Sequence, residues 1–270
     1  MAGTGGTQTQ RQLTSATLRH THHRLDTIRS AFQFARINGP RLRNRYDVLM
    51  ADGEAAVNAG KPITDVIFDF GNVLVYWDPV AVMTPRYSDE LVEQFLDNDI
   101  SGFYDINDEL DCGMSNDDGV ALMRERYGDK WADMLQYYLD NFVDSLTGVV
   151  PGARVLINDL KAAGVHVWGL SNWQKDLFPI ALDNFDILRS LDDRVVSGYV
   201  SLRKPNKDIY EFALQQFGID ASGAVFVDDK AMNIVGANNA GIRGVRFKDS
   251  RALRALLIDA GVKIPAVHQA

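Results

Sequence analysis

The run Val66-Ile67-Phe68-Asp69-Phe70 constrains this chain more than any other stretch. It is rich in β-branched and aromatic side chains and too apolar for a strand with one wet face. Strands buried on both faces belong to parallel sheets covered by crossover helices. The run carries one carboxylate, Asp69, near its C-terminal end, and a Gly71-Asn72 pair follows. Ligands of open α/β sheets bind beyond the carboxyl ends of the strands, so Asp69 stands where chemistry is usually done. Taken alone, it reads equally well as an Asp that closes a strand and caps a turn.

The C-terminal half repeats the same grammar. Helical patterns at 153–163, 175–184, 207–217, 230–240 and 250–260 alternate with strand patterns at 165–170, 194–200, 224–227 and 242–247. Gly164 and Gly218 stop two of the helices. Alternation of this kind predicts right-handed βαβ crossovers and an α/β fold with a Rossmann-like parallel sheet. His166, inside a strand pattern, reads as a satisfied core histidine. Residues 79–150 differ in character: Leu91, Val92, Phe95 and Leu96, then Trp131, Met134, Leu135, Tyr138 and Leu139, recur at helical spacing. Ser88 and Ser115 precede acidic residues and are expected N-caps. No strand-like alternation interrupts this block. The expected organisation is a basic extension over 1–61, a core over 62–78 and 151–270, and a helical cap over 79–150.

The net charge of −8 gives the whole chain no electrostatic support for nucleic-acid binding. Residues 1–61 carry +5 and the remainder −13. The N-terminal stretch is Gly/Thr/Gln-rich and then Arg-rich, so it reads as a solvated, partly disordered or helical arm. Met50 looks like an alternative start. His20, His22 and His23 have no Cys or carboxylate partners at ligand spacing and are assigned no function. The single cysteine, Cys112, excludes an intrachain disulfide and fits a reducing compartment. No apolar run is long enough to span a membrane, and no apolar stretch follows the N-terminal basic residues, so a cytoplasmic protein is expected.

Four polar sites fall at the carboxyl ends of the predicted strands or just beyond: Asp69, Ser171-Asn172, Lys204 and Asp228-Asp229. A parallel sheet would gather them. Three carboxylates together repel one another unless a cation neutralises them, and hard oxygen ligands suit Mg²⁺. A carboxylate beside such a cation is an adequate nucleophile toward phosphorus. The hydroxyl-amide pair Ser171-Asn172 and the ammonium of Lys204 can bind phosphoryl oxygens and stabilise transition-state charge.

The ordered set Asp69-Phe-Gly-Asn-Val, Leu-Ser171-Asn172, Arg-Lys204-Pro-Asn and Val-Asp228-Asp229-Lys-Ala-Met-Asn233 resembles the haloacid dehalogenase superfamily of hydrolases, whose four motifs are all present over residues 63–247. The resemblance implies a mobile helical cap at 79–150 joined through a turn and hairpin at 73–78. It implies that Asp69 is the nucleophile, Ser171 the phosphate-binding hydroxyl and Lys204 the phosphate-neutralising cation. Asn172 and Asn72 join the phosphate-binding set. Asp69, the Gly71 carbonyl, Asp228 and Asp229 become the Mg²⁺ site, with Asp229 the direct ligand and Asn233 in support. One position departs from the pattern. Most phosphatases of the superfamily carry a second Asp two residues after the nucleophile, and this chain has Gly71. The Phe-Asp-Phe-Gly-Asn-Val form is similar to a sugar-phosphate phosphatase branch that shares this Gly. Either the activity is restricted to good leaving groups such as anomeric phosphates, or a cap residue supplies the missing proton transfer. Asp78, Asp105, Asp108 and Glu109 are candidates, Tyr104–Glu109 being the segment of choice, and each also reads as a solvated helix face.

The expected activity is therefore an Mg²⁺-dependent phosphomonoesterase on a small phosphorylated metabolite, a sugar phosphate first, through an aspartyl-phosphate. Carbon–halogen hydrolysis by the same Asp is the alternative, and the Asp228-Asp229 pair argues against it by repelling an anionic haloacid. A binding or regulatory protein without turnover is the third reading, and Gly71 is its support.

Overall fold

The computed structural model describes residues 61–266, so the expectations for residues 1–60 lie outside them. In chain order, β1 (Asp65–Phe68) leads through a turn to β2 (Val75–Trp77). Helices α1 (Pro79–Met83), α2 (Asp89–Phe95), α3 (Asn98–Ser101), α4 (Phe103–Asp111), α5 (Asn116–Tyr127) and α6 (Asp129–Asp140) follow. A 3₁₀ turn, Phe142–Ser145, enters β3 (Leu146–Val149). The chain then runs through α7 (Ala153–Ala162), β4 (His166–Ser171), α8 (Phe178–Asn184), α9 (Asp186–Arg189), β5 (Asp193–Val196) and α10 (Ser197–Val200). It closes with α11 (Lys207–Phe217), β6 (Ala224–Asp228), α12 (Ala231–Asn239), β7 (Arg243–Arg246) and α13 (Ser250–Asp259).

Five of the strands make one parallel sheet in the order β5-β4-β1-β6-β7, the Rossmann-like α/β arrangement expected. β1 is central because its apolar run avoids water: Val66, Ile67 and Phe68 are essentially inaccessible. Each such side chain stabilises the fold by about 1.5–3 kcal/mol relative to exposure. Phe68 is level with Gly169 on β4 and with Val227 on β6. That register brings Asp69, Ser171 and Asp228 out at one edge of the sheet. The register, not sequence proximity, assembles the site.

The helical segment between β2 and β3 is tied down by local chemistry. Ser88 and Ser115 accept the N–H groups of Leu91 and Asp118, as expected of N-caps, and Asp78 caps α1 at the Val80 N–H. An aromatic cluster of Phe95, Phe103, Trp131 and Tyr138 fills its interior. The block read as wholly helical ends in a strand, however. β3 pairs antiparallel with β2, Val75 opposite Val149, so the two crossings between core and insertion form one ribbon. The stretch from Leu146 to Val149 is too short and too Gly-rich to show alternation. Likewise the strand expected over 194–200 stops at Val196 and turns into α10. His166 is not a core residue either. Its side chain is 64% exposed and stacks on Trp168. It lies opposite Asp65, at the solvent-facing start of the sheet. Among the described residues no helix is long and apolar enough to cross a membrane.

Candidate active site

Asp69 follows β1, and its backbone N–H is held by the Val227 carbonyl at 2.9 Å. Its Oδ1 receives three donors: the Phe70 N–H at 2.7 Å, the Ser171 hydroxyl at 2.7 Å and the Lys204 ammonium at 2.9 Å. Burial works to raise this carboxyl. The Lys204 charge and these hydrogen bonds outweigh burial and hold it below the ordinary carboxylate range. Asp69 is therefore an ionised, aimed carboxylate.

Lys204 is itself 3% exposed and bridges two acids, reaching Asp228 Oδ2 at 2.7 Å. Burial disfavours its charge, but Asp228 and then Asp69 more than compensate and push it above the ordinary lysine value. Two features place it. The Asn172 amide brackets its backbone, accepting the Lys204 N–H at 2.9 Å and donating to the Lys204 carbonyl at 3.0 Å. Behind it, Gly236 of α12 lets that helix approach closely, since a Cβ there would sit 2.4 Å from the Pro205 carbonyl oxygen. The Asn172 side chain thus holds the lysine loop in place.

Asp228 takes donors on both oxygens: Lys230 N–H at 2.7 Å on Oδ1, Lys204 on Oδ2, and the Asn233 amide on each, at 3.0 and 2.9 Å. Burial, with the charges of Asp69 and Asp229, still drives it upward against Lys204. Asp229 is driven up as well, first by burial and then by Asp69, with Lys230 opposing. Its backbone carbonyl accepts from Arg246 at 3.2 Å. Oxygens of Asp69, Asp228 and Asp229 lie within 4.8 Å of one another, an all-oxygen donor set that fits a hard divalent cation. Burial first and neighbouring carboxylates second push both Asp228 and Asp229 upward, and a cation beside them would oppose that pressure.

The turn after Asp69 leaves Gly71 open to the same mouth. The N–H groups of Val73, Leu74 and Val75 converge on the Phe70 carbonyl, and that of Asn72 goes to Val75, so none of the turn's hydrogen bonds uses the Gly71 carbonyl. Asn72 takes a left-handed φ of 59°, which Asn tolerates, and its side-chain oxygen accepts the Trp77 N–H at 3.2 Å. The Asn72 oxygen therefore closes this turn.

Of the acids named from the sequence as replacements for the missing Asp, Asp78 and Asp105 are engaged elsewhere, while Asp108 feels Lys230. Asp78 caps α1, and Asp105 pairs with Asn98 on the surface. Asp108 and Glu109 are exposed. A further acid, Asp111, the last residue of α4, which sequence reading passed over, is half-buried and feels charges of the site. Its carboxyl is raised to about 7, chiefly by burial; Lys230 opposes, and Asp108, Lys204 and Asp69 also act on it. A signal existed: Asn107 and Asp111 are spaced i,i+4, and the Asn107 amide donates to Asp111 Oδ2 at 3.2 Å.

A central strand that presents a lysine-paired aspartate beside two further acids, with a helical segment inserted directly after it, defines a Rossmann-like hydrolase core. The chain belongs to the haloacid dehalogenase-like hydrolases, whose family pattern matches residues 66–247. Among its relatives is drimenol cyclase drtB of Aspergillus calidoustus, 26% identical over 185 residues, 67% of this chain but 33% of that one. Sesquiterpene phosphatase astK of Aspergillus oryzae is 26% identical over 205 residues, covering 69% of this chain and 90% of the relative. The chain thus matches only a third of the cyclase's length. The fold is also that of the HAD family enzyme BT-2542 of Bacteroides thetaiotaomicron, solved with magnesium and inorganic phosphate. The TM-score is 0.53 at 19% identity, over 69% of this chain and 95% of that one.

Proposed function

We propose that this chain is an Mg²⁺-dependent phosphomonoesterase acting on a small phosphorylated metabolite, with sugar phosphates as the first substrate class. One observation carries the reading: Asp69 is kept ionised by Lys204 and Ser171 beside two acids whose charge calls for a cation. Asp69 Oδ2 makes the in-line attack on phosphorus, its Oδ1 fixed by three donors. Lys204 and Ser171 bind equatorial phosphoryl oxygens and stabilise the charge that develops there. Asp69, Asp228, Asp229 and the Gly71 carbonyl would hold Mg²⁺, with Asn233 bracing the Asp228 loop. Bound there, the ion would neutralise phosphoryl charge and bring substrate and nucleophile together. Water then attacks phosphorus of the aspartyl-phosphate, and the P–O bond to Asp69 breaks to restore the carboxylate and release phosphate. A relative named as a phosphatase and matched over 90% of its length supports phosphate esters as substrates. Its terpene substrate class earns a place in the assay.

The test is phosphate release from sugar phosphates, glycerol phosphate, an isoprenyl phosphate and p-nitrophenyl phosphate, with Mg²⁺ and with EDTA, for the native chain and Asp69→Asn. Metal-dependent release that falls to background in Asp69→Asn is expected. Halide release from a 2-haloacid in EDTA, with no phosphate release, would replace this reading with the dehalogenase.

A further inference from the structure

The phosphatase reading leaves a gap. An alkoxide leaving group needs a proton and the attacking water must lose one, and Gly71 can do neither. The geometry points to Asp111, on the inserted segment, as the proton-transfer residue of this site: its carboxyl donates to the leaving oxygen and then takes a proton from the hydrolytic water. This rests on the phosphomonoesterase reading above.

Three contacts clamp the last turn of α4 onto the core loops that carry the phosphoryl-facing groups. The Ser197 hydroxyl donates to the Asp111 carbonyl at 2.5 Å, and the same hydroxyl accepts the Trp173 N–H at 2.9 Å, two residues after Ser171. The amide of Gln174, buried on the same loop, donates to Asn107 Oδ1 at 3.1 Å, and Asn107 in turn donates to the Asp111 carboxyl. Arg203, next to Lys204, reaches the Asp108 carbonyl at 3.3 Å. Gly113 seats the turn that follows, because a Cβ there would lie 2.9 Å from the Gly198 carbonyl oxygen. The backbone of Asp111 is thus referenced to both loops, and its carboxyl is oriented by a side-chain relay that begins in the core.

Four charges act on this carboxyl. They are Lys230, then Asp108 on its own helix, then Lys204 and Asp69. Asp108, one turn back, feels Lys230, Arg203, Asp105 and Glu109, the groups of the rim. A carboxyl raised to about 7 is matched to giving and taking protons near neutrality. The balance closes. Asp69 forms a bond to phosphorus as the ester P–O bond breaks, and the departing oxygen takes the Asp111 proton. Water then attacks phosphorus while Asp111 accepts its proton, which restores the starting acid.

The room left at Gly71 supplies a test that a structural role cannot mimic. A Cβ added at Gly71 meets nothing within 4 Å, so Gly71→Asp can install the family's usual second acid without displacing a neighbour. Native chain, Asp111→Asn, Asp108→Asn and Gly71→Asp/Asp111→Asn are assayed with Mg²⁺ on the best alkyl phosphate of the panel and on p-nitrophenyl phosphate, whose leaving group needs no proton. Asp111→Asn should lose about 10²–10⁴-fold in kcat on the alkyl ester but under about tenfold on the aryl ester. Asp108→Asn should show no such selectivity, and the double variant should recover alkyl turnover. Full alkyl turnover in Asp111→Asn overturns the assignment, as does equal loss on both esters without recovery. A native chain that cleaves no phosphate ester overturns the phosphatase reading itself, and Asp111 with it.

Discussion

At the scale of single residues, the site is a contest between burial and charge, and burial wins at Asp111 as it does at Asp228 and Asp229. A carboxyl with a raised pKa binds its proton more tightly when folded than when unfolded. Its stabilising contribution is complete below the unfolded value near 4 and is lost as pH rises through about 7. The cost to the folded state reaches up to roughly 4 kcal/mol above pH 7. Asp111→Asn, neutral at every pH, should therefore be more stable than the native chain at about pH 8 and closely matched at about pH 3.5. Denaturant unfolding without divalent cation measures this difference, and a variant less stable at pH 8 would contradict it. Most of the site was visible in the sequence because each member interrupts an apolar strand at its end: Asp69 after Val66-Ile67-Phe68, Ser171 after Leu170, Asp228 after Val225-Phe226-Val227. Asp111 was not, because on an amphipathic helix Asp105, Asp108, Glu109 and Asp111 look alike. Periodicity says that Phe103, Ile106 and Leu110 face inward and is silent about which neighbouring acid faces a site. At Asn172 the sequence shows an amide but not that it will bracket the Lys204 backbone.

Among the elements, α4 carries the seam between insertion and core, and Gly113 is its weak point. Its φ of 103° lies where only glycine is comfortable, and any side chain meets the Gly198 carbonyl. Gly113→Ala should cost about 1–3 kcal/mol, a fall of roughly 2–10 °C in Tm. It should also lower alkyl-phosphate turnover more than aryl turnover, because the displaced turn bears Asp111. Thermal melts together with the two-substrate assay check both parts; an unchanged Tm would mean that the seam has slack. The helices of the insertion were legible from their caps and their 3.6-residue pattern. β3 was not: four residues with Thr147 and Gly148 at their centre carry no periodicity, and only pairing with β2 makes them a strand.

For the whole molecule, the acid cluster makes stability depend on what is bound. Asp228 and Asp229 are both pushed upward, so a divalent cation should relieve the folded state and leave the unfolded chain unaffected. At a hundredfold excess of Mg²⁺ over its Kd the gain is about 2.7 kcal/mol, or roughly 5–10 °C in Tm. Asp229→Asn should lose most of that shift, which differential scanning in Mg²⁺ and in EDTA would read directly. The α/β class was legible because alternation of strand and helix along 151–260 leaves few other ways to bury both faces of the sheet.

The ribbon of β2 and β3 carries one more consequence. The chain leaves the sheet layer at Trp77 and returns at Leu146, and these two residues are paired neighbours. An insertion whose ends meet is a module. It can be lengthened, shortened or exchanged between relatives without altering any strand of the parallel sheet. On the proposed reading, such an exchange would move two things at once: the wall that meets the substrate and the acid that protonates what leaves. Substrate preference and leaving-group chemistry would then be inherited together, as one cassette.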